Sequence, residues 1–317
     1  MKANYLLLTT LLIATPSHAK LSDSNGFSGE ISLNSVYASQ ESHLSTDADA
    51  TLESLDQSTK SSDSFIVAPL GNLAYTFGQS NQQIYFGTTR DDIAVGTLAL
   101  QLGYKYQLPS STIIDLAYLP TVMAGSVWQD PYNTDNDRKE TDVDGNAYRL
   151  KLSKIAGSRV SIDMAYGDKD VEQDTTDISE LARDAETYFI KGQVGIPLSQ
   201  TTIISPSIAY TKQKSKGEAN SFDGYRGEVS LFQFFGAHQI ALTASYSLQD
   251  YQAVNPLFGQ TRSENTLSFF AAYEYQNLMG WKNWSLISFV GYDQTDANID
   301  FYDESQTIVT FGVNYKF

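Results

Sequence analysis

The sequence predicts an all-β fold, a transmembrane antiparallel up-and-down β-barrel of about 14 strands, and three observations lead there. Period-two segments recur from Phe27 to Phe317; the connections between them alternate short and long; and TIVTFGVNYKF (307–317) alternates apolar with small or polar residues up to an aromatic last residue. A strand with lipid on one face and water on the other reads as such an alternation. Composition agrees: 12% of residues are aromatic, with 20 Tyr and 16 Phe against only 8 Pro, a profile suited to half-exposed strands.

Residues 1–19, MKANYLLLTTLLIATPSHA, carry a basic Lys2, an apolar run from Tyr5 to Ala14 and a small-residue ending at Ser17-His18-Ala19. This is the pattern of a cleaved secretory signal peptide, leaving 20–317 as the barrel. Beyond it no apolar run is long enough to cross a membrane as a helix, which takes about 20 residues. The chain has no Cys, so neither a disulfide framework nor a thiol for lipid attachment is available. The formal net charge of -16 for the precursor argues against nucleic acid as a partner and for long-range attraction of cations.

In order, strands are expected near 27–39, 66–78, 83–90, 95–107, 112–125, 145–155, 159–167, 186–196, 202–213, 225–235, 239–251, 264–276, 283–295 and 306–317. Three illustrate the outward face: Leu98, Leu100, Leu102, Tyr104 and Tyr106; Ile240, Leu242, Ala244, Tyr246 and Leu248; Leu267, Phe269, Ala271, Tyr273 and Tyr275. Their neighbours are polar or small, and Tyr and Phe gather toward strand ends, as in interfacial girdles. The short link at 90–94 fits the alternation least, and merging the strands around it would give 12. A closed ring needs its last strand to pair with its first, since no backbone group can stay unpaired in lipid.

TIVTFGVNYKF resembles the closing strand of bacterial outer-membrane barrels, whose final aromatic is read by the barrel-assembly machinery; Phe311, Val313, Tyr315 and Phe317 carry the likeness. PLGNLAYTFG (69–78), RDDIAVGTLALQLGYK (90–105), DPY (130–132) and KETDVDGNAYRLKL (139–152) resemble an uncharacterised family of outer-membrane β-barrels from Vibrio-like marine bacteria, a domain of unknown function. The resemblance implies fold and the cell outer membrane as location, and brings no activity or site residues with it.

Chemistry is sparse. Beyond the signal segment the only histidines are His43 and His238, expected at opposite ends of the barrel, and no G-x-S-x-G elbow is present, so no catalytic residues are assigned. ETDVDG (140–145) starts like a calcium loop but has Lys151 where a bidentate Glu belongs, so no metal site is assigned. A second acidic stretch runs from Asp168 to Asp184. It is expected to be a hydrated loop, with weak divalent bridging to lipopolysaccharide as the alternative. No cofactor is expected.

Parity places Arg149, Lys151, Arg159, Lys191 and Arg226 inward, with Asp163 and Glu228 among them. A basic residue facing mid-membrane lipid costs about 2–4 kcal/mol, so these charges argue for a polar lumen. The function expected is a porin-like channel for passive diffusion of small hydrophilic solutes. The alternatives are a closed structural or interaction barrel with acidic loops that bind polysaccharide or divalent ions, and, third, an outer-membrane hydrolase. Solutes, outer-membrane lipid, lipopolysaccharide and the assembly machinery are the expected partners.

Overall fold

The computed structural model describes residues 21–93, 99–120 and 125–317. The signal segment at 1–19 and the outward position Leu98 lie outside them. Fourteen strands form the wall: β1 (Gly26–Glu41), β2 (Ser61–Phe77), β3 (Gln82–Gly87), β4 (Gln101–Gln107), β5 (Ile113–Pro120), β6 (Glu140–Ser153), β7 (Val160–Val171), β8 (Ala185–Val194), β9 (Thr202–Ser215), β10 (Phe222–Phe235), β11 (His238–Asn255), β12 (Gln260–Gln276), β13 (Trp284–Ala297) and β14 (Glu304–Lys316). Each pairs antiparallel with its chain neighbours, and β1 closes the ring on β14 from Glu30↔Lys316 to Glu41↔Ser305. Ile196–Pro197 prolongs β8 past Gly195, and a short strand Gly125–Trp128 adds to the loop end of β6.

Six connections are short and mark one end of the ring, the turn end; seven join strands at the other, the loop end. Alternation sets the faces. Leu102, Leu116, Leu242, Phe269 and Phe311 stand exposed on the outer surface, while Ser32, Asn34, Thr243, Ser245 and Thr310 are buried on the inner one. An exposed apolar belt of this extent is far larger than a soluble monomer carries.

Phe317 lies at the turn end beside β1. Its N–H donates to Gly29 O and its carbonyl accepts from Gly29 N–H, each at 3.0 Å. A Cβ on Gly29 would lie 2.9 Å from the Phe317 ring and 2.4 Å from Asn72 O, so only glycine admits the ring between β14 and β2. Gly29→Val is therefore expected to displace Phe317 and to cost about 1–3 kcal/mol by overpacking. The check is the temperature at which the folded band is lost on an unheated gel; an unchanged temperature would contradict this packing.

The third, fourth and sixth strands have other bounds than the sequence suggests. The third strand ends at Gly87, and the fourth begins at Gln101, where 83–90 and 95–107 were expected. Gly87 adopts φ 125, and a Cβ there would meet Gly71 O at 2.2 Å, so the chain kinks out of the ladder against β2. The following residues turn inward through one helical turn, Arg90–Ile93. The wall is low here, which explains the poor fit of the 90–94 link. The acids at 140–145 lie in strand β6 and in no calcium-type loop; among the described residues no group of three or more acids or histidines gathers as a metal site.

Candidate functional site

Cross-strand register organises the inward charges. Lys105 faces Asp115, Asp115 faces Lys151, Lys151 faces Asp163 and Asp163 faces Lys191, so sign alternates across β4 to β8. The row continues through Ala209 to Arg226. Opposite charges directly across a ladder attract, and each neutralises its neighbour's field.

Arg149 sits one inward position above that row and is the best-satisfied cation. Its Nε donates to Asp163 Oδ1 at 2.9 Å, and its Nη1 and Nη2 donate to Asp92 at 2.8 and 3.1 Å. Gln101 Nε2 and Thr89 Oγ1 also donate to Asp92, at 2.8 and 2.6 Å. The inward turn is thus fastened to the wall by a forked, charge-assisted pair with both partners largely buried. Ile93, one residue on, reaches a slot lined by Phe232, Phe234, Ile287 and Phe289 on the other side of the lumen.

Lys191 donates to Glu228 Oε1 at 2.8 Å, and Arg226 Nη2 stands 3.6 Å from Glu228 Oε2. Lys151 lines a space of about 280 Å³ with Lys105, Asp115, Arg149 and Asp92. Arg159 is not brought into this group. It precedes β7 at the turn end, where its carbonyl accepts from Gly195 N–H. The inward bases therefore do not form one uncompensated basic surface; most are threaded among carboxylates.

Two features escaped sequence reasoning. One is Asp92, whose partner Arg149 is 57 residues away; the only signal was the misfit of the link around it. The other is a cap at the loop end. Leu52, Ile299, Phe301 and Tyr302 form a buried cluster, joined by Leu44, Leu55, Tyr132 and Phe258. Loops from β1, β5, β11 and β13 meet there, and Tyr132 Oη lies 2.8 Å from Tyr302 Oη, linking segments six strands apart around the ring. Arg138 clamps the cap by donating to His43 O and Asp49 O, both at 2.6 Å, with its guanidinium over Trp128. Arg262 at the start of β12 lies between the rings of Tyr251 and Tyr302.

Below the cap, β8 to β14 enclose a chamber of about 540 Å³. Its lining mixes Lys191, Arg226, Glu228 and Asp293 with Phe189, Phe270 and Phe289.

His43 makes the cap sensitive to acid. Its ring stacks on Phe301 at 4.8 Å and Nε2 lies 2.9 Å from Gln57 O. Burial holds its pKa below the ordinary 6.5; the Gln57 carbonyl opposes this, and the Arg138 cation adds to it. The other charges nearby are Asp49, held ionised by Lys60, and Glu304, which accepts from Ser42 Oγ at 2.6 Å. An opened cap takes up the proton before a closed one. The stabilisation by neutral His43 is therefore full above pH 6.5 and is lost as pH falls below it. Amide protection factors in 42–60, with the pH dependence of intrinsic exchange divided out, are expected to fall from pH 7.5 to 5.5, and His43→Gln to remove most of that dependence.

A closed antiparallel ring of fourteen strands, with an apolar outer belt and a charged lumen, defines a β-barrel of the outer-membrane, porin-like kind. The chain belongs to the family of proteins of unknown function DUF2860, whose model matches residues 26–316. No curated protein matches it. Solved structures with similar folds include the CymD monoaromatic hydrocarbon channel (9% identity, 93% of this chain and 89% of that one, TM-score 0.47). A bacterial polysaccharide outer membrane secretin is similar too (10% identity, 91% and 98% coverage, TM-score 0.43). So is a loop-deletion mutant of OmpT from Vibrio cholerae (14% identity, 91% and 99% coverage, TM-score 0.41).

Proposed function

We propose that the protein is a porin-like channel for passive diffusion of small hydrophilic solutes across the outer membrane of a Gram-negative, Vibrio-like marine bacterium, with no catalytic role and no cofactor. One observation carries this reading: the lumen holds a charged chamber of about 540 Å³ where a small structural barrel would be packed with side chains. In this reading the turn end faces the periplasm and the apolar belt faces lipid. The acidic loops meet lipopolysaccharide, and the strand ending at Phe317 is presented to the assembly machinery. Selectivity comes from bore and field.

The buried cluster of the cap favours a second reading, a closed barrel whose loops bind surface polysaccharide or divalent ions. Proteoliposome swelling separates the two. Pentose-sized neutral sugars are expected to enter well above the protein-free rate and trisaccharides slowly. Equal rates with and without protein, for every solute, would favour the closed barrel.

A further inference from the structure

The chamber under the cap is asymmetric in a way that specifies a ligand. Glu228, Ser245, Ser268 and Asp293 face one another in register across β10, β11, β12 and β13, forming one row around the wall. At the β10 end, Lys191 and Arg226 share the single carboxylate of Glu228. That end therefore has one cation in excess. Arg226 holds Glu228 only at 3.6 Å with one nitrogen, and its side chain is 43% exposed, so guanidinium donors remain for a ligand. At the β13 end, Asp293 is exposed to the chamber and makes no ion pair among the described residues. Two cations and two carboxylates balance over the whole chamber, yet opposite charges face each other across it.

Beneath the row, toward the turn end, the surface changes character. Phe270 follows Ser268 as the next inward residue of β12, and Phe289 lies four residues before Asp293 on β13. Their rings stack at 6.1 Å with an interplanar angle of 21°. Gly291, between Phe289 and Asp293, leaves the space beside Phe270 open; a Cβ there would already lie 2.7 Å from Ile308. Two residues of strand rise about 7 Å, so the aromatic surface begins that far below the charged row.

We propose that this chamber is a binding site for zwitterionic solutes bearing an apolar side chain, such as apolar α-amino acids and short peptides. The carboxylate accepts from Arg226, the ammonium donates to Asp293, and the side chain lies on Phe270 and Phe289. A singly charged solute leaves one end of the chamber uncompensated. A zwitterion without an apolar group leaves the aromatic surface against water and loses the gain of covering it. The site deepens the channel reading and rests on it, since a solute reaches this chamber only through the lumen.

The test is calorimetric titration of the purified, detergent-folded full chain with L-phenylalanine, 3-phenylpropionate, phenethylamine and glycine, with neutral-sugar swelling measured in parallel. L-Phenylalanine is expected to bind at least tenfold more tightly than each of the other three. Asp293→Asn is expected to lower its affinity about tenfold while leaving 3-phenylpropionate unchanged, and Phe270→Ala to lower it while leaving glycine unchanged. Both variants are checked for the folded gel band, and Asp293→Asn alone suffices if Phe270→Ala does not fold. Equal binding of all four probes, no binding, or unchanged L-phenylalanine affinity in Asp293→Asn overturns the site. If sugars still enter, the channel reading survives that failure; binding without sugar entry overturns the channel and keeps the site.

Discussion

Arg149→Ala is expected to release the inward turn and enlarge the open lumen, raising single-channel conductance at least twofold. Arg149 is the only described cation bound to the Asp92 carboxylate. Its removal leaves two carboxylates, Asp92 and Asp163, facing each other in a largely buried place. Breaking a buried pair by deleting one partner costs about 3–5 kcal/mol, because the survivor keeps its charge without compensation. Here the released turn can swing out of the lumen toward the loop end and rehydrate Asp92, so the loss should appear partly as mobility. Asp92→Asn keeps the hydrogen-bonding shape and removes the charge, and should give the same change at smaller size. Unchanged conductance in Arg149→Ala would mean that the turn does not set the bore.

Phe301→Ala is expected to open the cap while leaving the barrel wall intact. Phe301 is fully buried, and it is the hub of the cap: His43, Tyr132, Phe258 and Tyr302 all pack their rings on it. Truncating a buried phenylalanine costs about 3–5 kcal/mol. The segments 42–60 and 129–139 carry no ladder to resist that loss, whereas β13 and β14 remain paired through twelve registered positions. Proteolysis within 42–60 and 129–139 should therefore accelerate at least tenfold at an unchanged barrel melting temperature. A parallel drop in barrel stability would show that cap and wall form one cooperative unit.

How much of this was legible in the chain depends on how local the physics is. β11 could be read directly, because Ile240, Leu242, Tyr246 and Leu248 face one solvent and Ala241, Thr243 and Ser245 another, and period two records that difference. The same rule failed at 88–90 and 99–100, which were expected in strands. The wall is broken there by Gly87 and by the demand of Arg149 for a second carboxylate, which no local pattern carries. Parity likewise put Lys191 and Glu228 inside without revealing that they touch. Their pairing depends on the register of three strands, β8 to β10. The cap left a faint trace, Leu44, Leu52 and Leu55 in one polar loop and Ile299, Phe301 and Tyr302 in another. Their meeting requires ring closure, which brings β14 back beside β1.

Planar-bilayer recording of the purified, folded chain tests the central claim most directly. Discrete conductance steps are expected, infrequent at pH 7.5 with the cap closed, and more frequent at pH 5.5 as His43 takes up its proton. A membrane that stays silent at both pH values, and also with Phe301→Ala, would contradict a conducting lumen.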